Sequence, residues 1–467
     1  MRDQHVRSAF TLWRCRWACA ATIAVVASFI AIVWAPPAEA LPSFARQTGQ
    51  PCGACHTDLP GLTPFGRLFK IEGYTMGGGK YRTTLFPDSP DSAKKEYVPP
   101  ISMMAIIDFT HTQAAIQATP GLPFAANDNV TLNTLSFFYG GAITDHIGMF
   151  QQITYSPFGW SWDNTDLRFA ESATIASVPI VYGITANNNP TLQDPWNTTP
   201  AWAFPYQTSL FWPGMPFTPV IDGTFAHNVV SAGGYAWIGN LVYLEGSVYR
   251  ALDPQILVAL GQDPTAAQQF NAAPYWRAAI EPHWGDNWLE FGTFGMVANI
   301  HPYSGVGTGS GATYFPQTDN YTDIGFDTQY QYGGSNFWLT LRGTYIHEYQ
   351  NLGASFANGL SANPTNTLNE ARGYASLAYG NSNRVVLTGQ YFTDWGTSDA
   401  ILFNGSPDTK GWIAEIAYIP FIDSQAPGWP WFNVRIGLQY TAYTEFNGTS
   451  AGASNNNTLY LYLWMAM

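Results

Sequence analysis

The sequence is poor in charged residues, in cysteine and in long apolar runs. Only 11% of its 467 residues are Asp, Glu, Lys or Arg, against roughly 25% in an ordinary soluble domain. The formal net charge of −13 excludes a strongly basic nucleic-acid binder. One long apolar run occurs, at the N-terminus, which excludes a bundle of membrane helices that would need ~20 apolar residues per span.

The chain is instead rich in aromatic residues and glycine. Aromatics make up 16% of the sequence, with 18 Trp, 26 Tyr and 29 Phe, and there are 44 glycines. These residues are dispersed among Asn, Thr and Ser rather than gathered in blocks. The composition therefore favours a β protein that is not an ordinary water-soluble one.

Residues 1–40 are predicted to be a cleaved secretory signal peptide. Arginines come first, an apolar stretch follows, and a small-residue motif of the form A-x-A ends at Ala40. An uncleaved anchor helix is the alternative, but the apolar run is short for a bilayer. Cleavage after Ala40 would leave two cysteines in the mature chain, Cys52 and Cys55.

Those two cysteines belong to the stretch Cys52-Gly53-Ala54-Cys55-His56. The pattern C-x-x-C-H is the attachment signature of a c-type haem, in which both thiols bond to the porphyrin and the histidine ligates the iron. A disulfide across two residues would gain little stability, and a structural zinc would need two further ligands that do not follow. The motif predicts one covalently attached haem c, with His56 as an iron ligand.

The second axial ligand is less well defined by the sequence. A helix is predicted from Phe65 to Glu72, with Thr63 as its cap, proline at its first position and Gly73 just past its end. Met76 follows directly and is the first choice, because a thioether opposite histidine is a common haem ligand set. The rivals are Met103, Met104, His111 or no second ligand.

Residues 41–100 form the predicted haem segment. They are too few to build a large core of their own, so the haem or a surrounding protein wall must supply the packing. A small segment of this kind could also plug the lumen of a barrel.

Residues 101–467 alternate in hydrophobicity over segments of about ten residues, which is the signature of an outer-membrane β-barrel. A charge that faces lipid is costly, so the charged face of each strand must line the lumen. One strand, for example, places its apolar residues on one face and its charged residues on the other: Trp276, Ala278, Ile280, Pro282 and Trp284 against Arg277, Glu281 and His283. A soluble β-sandwich would carry more charge and fewer aromatics.

The connections indicate about sixteen strands, an even number that returns both ends to the periplasm. Long polar stretches separate the hairpins, and the Pro-rich segment 187–228 is expected either to cover the outer mouth or to fold into the lumen. Short hairpin turns are predicted at 144–146, 239–240, 285–287, 333–335 and 381–383. The last strand ends on Met467 rather than on an aromatic residue.

The stretch from Phe44 through the haem motif, Leu62–Arg67 and Gly73-Tyr74 resembles the fused monohaem cytochrome c–porin family of the outer membrane. That family includes the ferrous-iron oxidases of iron-oxidising bacteria. The resemblance implies that Cys52, Cys55 and His56 hold the haem. It also places Arg46, Arg67 and Lys70 near the haem propionates, with ordinary solvation as the alternative. Over the barrel the likeness is architectural only.

The leading functional hypothesis is an outer-membrane protein that oxidises an extracellular donor, with Fe(II) first, and passes the electron to a periplasmic cytochrome or copper protein. Outer-sphere transfer needs no acid–base or nucleophilic group, and none is evident, so its status as an enzyme is left open. The alternatives are a diffusion porin with a tethered cytochrome and a soluble periplasmic β-rich cytochrome. A homotrimer is left open, because porin-like barrels often trimerise. Four histidines near external loops could meet incoming metal: His111, His227, His301 and His347.

Overall fold

The fold is taken from a computed structural model of the chain. The predicted signal peptide lies outside the residues that the structure describes. The described residues are 41–88, 90–116, 124–264, 269–307 and 311–467.

Sixteen antiparallel strands form one closed barrel, as the alternation predicts. Strand β1 pairs with β2 on one side and with the last strand on the other, from Met104 opposite Ala466 to Thr112 opposite Thr458, which closes the sheet. The strands are β1 Ile101–Thr112, β2 Asn129–Ala142, β3 Ile147–Ser156, β4 Gly159–Ile175, β5 Val178–Asn187, β6 Val229–Ile238, β7 Val242–Ala251, β8 Ala273–Ile280 with its continuation His283–Trp284, β9 Asn287–Ile300, β10 Asp319–Gly333, β11 Phe337–Asn351, β12 Thr365–Tyr379, β13 Arg384–Gly396, β14 Thr409–Ile419, β15 Asn433–Glu445 and β16 Thr458–Ala466.

Each strand separates a polar inner face from an apolar outer face. In β8 the side chain of Arg277 is buried in the lumen, whereas Ile280 points outward and is 46% exposed. In β15 Leu438 is 42% exposed and its neighbour Gln439 is buried. The predicted direction of the charged face is therefore confirmed. The outer surface that results carries large apolar side chains and is the kind of surface that a bilayer covers.

The two rims of the barrel differ. We call the rim where β1 begins and β16 ends the near rim, and the opposite one the far rim. The five predicted hairpin turns all lie at the near rim and join consecutive strands. Connections at the near rim are otherwise short and those at the far rim long. There are two exceptions, because the far-rim turn 157–158 is short and the near-rim segment 420–432 is long.

The helices are short and are not part of the barrel wall. None of those in the described part of the chain is long and apolar enough to cross a bilayer. The predicted helix after the haem motif is confirmed as Pro64–Ile71. It begins there because the side chain of Thr63 caps it, accepting a hydrogen bond from the backbone nitrogen of Gly66 at 3.2 Å. The helices are α1 Pro42–Thr48, α2 Cys52–Cys55, α3 Pro64–Ile71, α4 Pro90–Ala93, α5 Pro254–Ala259 and α6 Gly353–Ala357, with 3₁₀ turns at Pro200–Trp202 and Ala453–Asn456.

Two stretches of chain fill the lumen. The first, residues 41–76, is here called the plug; it carries α1 to α3 and belongs to the same compact unit as the barrel. The second, residues 188–228, is the inward loop, which joins β5 to β6 and whose Leu192 and Trp196 are fully buried. Of the two positions expected for this loop, the structure shows the one inside the lumen.

The plug shares its apolar core with the barrel wall, since Phe69 and Tyr74 cluster with Phe138 and Phe150. The backbone nitrogen of Ser43 donates to the hydroxyl of Ser102 on β1 at 3.2 Å, and the hydroxyl of Tyr74 donates to Asp166 on β4 at 2.7 Å. On the other side Arg67 pairs with Glu281, which follows β8, at 2.8 Å. The wall therefore supplies the packing that this short segment cannot provide.

Candidate functional site

The haem-type motif lies inside the barrel, close to the near rim. The backbone nitrogen of Gly53 donates to the carbonyl of Ile422 in the long near-rim connection at 2.8 Å. The guanidinium of Arg384, at the first position of β13, donates to the carbonyls of His56 and Thr57. A Cβ on Gly53 would lie 3.1 Å from that guanidinium, so glycine allows this close approach.

The motif itself is one helical turn closed by a loop. Cys52 and Cys55 are three residues apart on helix α2, which brings their side chains to the same face. The backbone nitrogen of Thr63 donates to the carbonyl of Cys55 at 2.9 Å and brings α3 against α2. Glycine at position 66 is needed there, because a Cβ would overlap the carbonyl oxygen of Cys55.

His56 leaves the helix and turns toward a cavity of about 480 Å³. Its Nδ1 lies 3.2 Å from the carbonyl oxygen of Pro60. A proton on Nδ1 would satisfy that carbonyl and leave Nε2 as the unprotonated nitrogen that a metal requires. Burial is the main cause that lowers the pKa of His56, which favours the neutral imidazole. Burial also raises the pKa of Cys55 to about 12.

The cavity, here called the inner cavity, is lined mainly by apolar and aromatic side chains. Both cysteines and His56 line it, so the two thiols and the imidazole open into one space. The plug, strands β1 to β4, the end of β16 and the inward loop all contribute to the lining. Its aromatic members include Phe44, Phe69, Phe138, Phe150, Trp202 and Trp464. These residues suit a large flat apolar group with a few polar substituents.

The four candidates for a second ligand are placed differently. Met104 faces the lumen and lines the inner cavity. Met76 packs against the aromatic cluster of Phe69 and Tyr74 but is not part of the cavity lining. Met103 is on the outer face of β1, and His111 lies near the far rim, 2.7 Å from Asp128.

The sequence contained a signal for Met104. Asp108 must face the lumen, and Met104 lies four residues before it on the same strand, hence on the same face. What the pattern could not give was the position of the plug, which decides whether the lumen face at Met104 meets the haem motif.

Of the three basic residues that the resemblance placed near the propionates, one lines the inner cavity. Lys70 does so and donates to the carbonyls of Leu192 and Asp194 at 2.7 and 2.8 Å. Arg46 donates to the carbonyl of Ile101 at 2.7 Å instead. Arg67 is bonded to the wall through Glu281.

The inward loop is fastened to the wall by a buried ion-pair network that the sequence did not reveal. Arg277 lies 3.0 Å from Asp194 of the loop, 2.8 Å from Asp327 and 3.4 Å from Glu290. All four side chains are almost fully buried. The indole of Trp196 also donates to Glu281. Five charged side chains of the barrel wall lie on its lumen side and are buried: Arg277, Glu281, Glu290, Arg342 and Glu415.

A second cavity of about 300 Å³, here called the outer cavity, lies beyond the inward loop. Pro200, Ala203 and Pro205 line both cavities, so one stretch of the loop separates them. Asp222 and Arg372, an ion pair, line the outer cavity as well.

Two more carboxylates lie beside that ion pair. Glu370 and Asp394 occupy opposite positions of β12 and β13, and each is 1% exposed. Glu370 contacts Arg372 at 2.9 Å, whereas neither carboxylate oxygen of Asp394 has a hydrogen-bond partner among the described residues. Three carboxyl groups therefore surround one guanidinium on this side of the outer cavity.

The other histidines do not converge with these groups. His227 lies 3.1 Å from Asp163, His301 3.0 Å from the carbonyl of Phe315, and His347 2.8 Å from Asn369. Within the described ranges no three His, Cys, Asp or Glu side chains are grouped so that they could hold a metal ion.

Comparison with known proteins gives similarity to solved barrels only. No family model and no curated protein matches the sequence. The outer membrane channel DcaP of Acinetobacter baumannii has 10% identity and a TM-score of 0.42, over 79% of this chain and 96% of that one. Salmonella typhi OmpF has 11% identity and a TM-score of 0.41 (79% and 97%), and an anion-selective porin from Comamonas acidovorans 10% and 0.40 (78% and 98%). At these values the similarities carry no argument beyond the strand pairing described above.

Proposed function

We propose that this protein is an outer-membrane electron-transfer protein of the cytochrome c–porin type. In this proposal Cys52 and Cys55 would hold one haem c through thioether bonds, and the imidazole of His56 would ligate its iron. The protein would take electrons from an extracellular donor, with Fe(II) the leading candidate, and pass them to a periplasmic cytochrome or copper protein. Haem c, when bound, supplies a reversible one-electron Fe(III)/Fe(II) couple.

A single observation carries the proposal. The C-x-x-C-H motif opens into an apolar cavity inside the lumen of a closed barrel, and one stretch of the inward loop separates that cavity from a second one toward the far rim. A motif on an ordinary periplasmic tail would have no reason to be enclosed in this way. The arrangement suits a carrier placed part-way across an apolar band of ~25 Å.

The residues of this chain would perform three tasks. Pro60 holds the Nδ1 side of the imidazole and so orients His56 toward the cavity. Phe69, Phe138 and Phe150 exclude water from the space beside it. The carbonyls of His56 and Thr57 are fixed by Arg384, which keeps the motif against the wall.

The charge of the chain favours a cationic donor over an anionic one. The chain as a whole carries a net charge of −13, and Asp222 lines the outer cavity beside Arg372. Opposite charge raises the local concentration of a diffusing ion. Fe(II) fits this preference, as would any other reduced cation of similar size.

The barrel taken by itself supports the second candidate, a diffusion porin with a tethered cytochrome, better than the first. Charged side chains such as Arg277, Glu290 and Arg342 face the lumen, as they would in a solute channel. The plug and the inward loop occupy that lumen, however, and most of their residues are buried or half-buried. This filling favours electron transfer over the free passage of solutes. The apolar outer surface disfavours the soluble alternative.

Purified protein reconstituted in liposomes distinguishes the two candidates. With a redox dye enclosed, external Fe(II) should reduce the dye while small sugars stay excluded. Free sugar flux without haem reduction would overturn the proposal in favour of the porin. Native mass spectrometry of the same sample tests whether the barrel is a trimer.

A further inference from the structure

We infer that the thioether of Met104, rather than that of Met76, is the second axial ligand of the haem. The inference rests on the proposed function, because it needs a haem on Cys52 and Cys55. It adds the residue that completes the iron coordination and sets the range of the haem potential.

The first argument is location. Among the described residues one histidine and one methionine line the inner cavity, and these are His56 and Met104. The haem-attachment cysteines line the same cavity. A pair of ligands for one iron must share the space that contains the porphyrin, and Met76 and Met103 do not line it.

The second argument is the rigidity of the support. Met104 lies on β1 between two ladders, opposite Ser136 of β2 and Ala466 of β16. Phe138 and Trp464, on those same two strands, also line the inner cavity and fix its wall on either side. A ligand on a paired strand is held more precisely than one on a loop.

The third argument concerns what holds Met76. It follows helix α3 in a segment without regular structure, and its carbonyl accepts a hydrogen bond from the side chain of Gln47 at 3.0 Å. The side chain packs against the aromatic cluster of Phe69, Tyr74, Phe138 and Phe150. Met104 packs against the same cluster, so what distinguishes Met76 is its place on an irregular segment and outside the lining of the inner cavity.

Histidine–methionine ligation would suit the proposed direction of flow. A thioether ligand raises the haem potential relative to most other ligand sets. A high potential allows the haem to accept electrons from a weak reductant such as dissolved Fe(II).

The test uses the full-length, haem-loaded protein in detergent and two matched variants, Met104→Leu and Met76→Leu. The wild type in the ferric state should show the near-infrared charge-transfer band of a methionine ligand. Met104→Leu should lose the band, shift the midpoint potential downward and bind carbon monoxide when reduced. Met76→Leu should keep the band and the wild-type potential.

The outcomes separate this inference from the proposed function. A wild type without covalently bound haem would overturn both. Covalent haem without the methionine band, or a band lost in Met76→Leu and kept in Met104→Leu, would overturn the inference alone. If Met104→Leu does not assemble, NMR spectra of the reduced wild type and of Met76→Leu identify the ligand. An iron-bound methionine gives a strongly shifted methyl resonance. If this resonance persists in Met76→Leu, Met104 is supported as the ligand, and if it is lost, the inference is overturned.

Discussion

The barrel wall and the chain inside it are held by different kinds of interaction. Strands β11 and β12 pair without interruption from Phe337 opposite Tyr379 to Asn351 opposite Thr365. The plug, in contrast, meets the wall through single side chains such as Arg67 and Arg384. A wall built from repeated ladders tolerates the loss of one contact, whereas the plug and the inward loop, here together called the filling, depend on a few buried charges. Assembly of the barrel and function of the protein should therefore respond differently to substitution.

Removing the two mature cysteines should have the largest effect on function and little on the wall. In Cys52→Ala/Cys55→Ala we expect no covalent haem and no electron transfer to an enclosed dye, because the attachment points are gone. Neither cysteine is part of a strand, so the barrel should still assemble. Haem staining after denaturing electrophoresis measures the first effect, and heat-modifiable migration the second.

The other cysteine pair provides the control. Cys15→Ala/Cys19→Ala changes residues of the predicted signal peptide, so the mature protein should keep its haem. Haem staining that survives in Cys52→Ala/Cys55→Ala would contradict both the motif and the proposal. Loss of the barrel in that variant would show that wall and plug are not independent.

The next largest effect is expected from the ion-pair network that fastens the inward loop. Arg277→Met would leave Asp194, Asp327 and Glu290 buried without their cation. Loss of one partner of such a network costs about 3–5 kcal/mol. We expect a lower free energy of unfolding and, because the loop is loosened, a higher ion conductance in planar bilayers.

An exposed ion pair is the matched control for this variant. Lys410 pairs with Glu445 at the far rim and is solvent-exposed. Lys410→Met should change neither unfolding nor conductance measurably. Equal conductance in Arg277→Met and the wild type would mean that the loop does not depend on this network.

The wall should be most sensitive on its outer face. Leu438 lies near the middle of β15 and points outward. Leu438→Arg would expose a charge to lipid and should lower the free energy of folding into vesicles by about 2–4 kcal/mol. Leu438→Phe, which keeps the face apolar, is the control. An unchanged folding titration for Leu438→Arg would contradict the membrane placement of this face.

The sequence predicted the wall better than the filling because the signals of the wall are local. Arg277 and Ile280, for example, are at odd and even positions of one strand, which is enough to assign them to opposite faces. Helix α3 begins at a Thr cap with proline at its first position, and both signals lie within a few residues. Strand number and near-rim turns followed from the same short-range patterns.

The filling depends on contacts between distant parts of the chain, for which a single sequence has no signal. Nothing around Arg67 indicates that it would meet Glu281 rather than a haem propionate. Nor does the Pro-rich composition of residues 188–228 choose between the mouth and the lumen. Met104 shows both a local and a distant signal. The direction of its side chain toward the lumen follows from Asp108 on the same strand, whereas its neighbours across the cavity do not follow from the sequence.

The smallest predicted effect concerns the charge inside the inner cavity. Burial, and next the nearby cation Arg168, lower the pKa of Lys70 to about 7, while Asp166, Asp194 and Glu245 oppose that shift. Lys70 would then lose its proton as the pH rises through neutrality. A positive charge beside a haem in the inner cavity would favour its reduced state, so the midpoint potential should fall over about pH 6–8. Spectroelectrochemical titration of the full-length protein measures this fall.

The side chain responsible can be identified because another lysine provides the contrast. Lys95 is exposed and donates to the carbonyl of Gly79 at 2.9 Å, away from the inner cavity. Lys70→Met should abolish the fall in potential, and Lys95→Met should leave it intact. A titration with the same slope in Lys70→Met would assign the proton to another group and would show that this buried charge does not act on the haem. The result therefore tests whether single charges in the filling affect function while the wall stays unchanged.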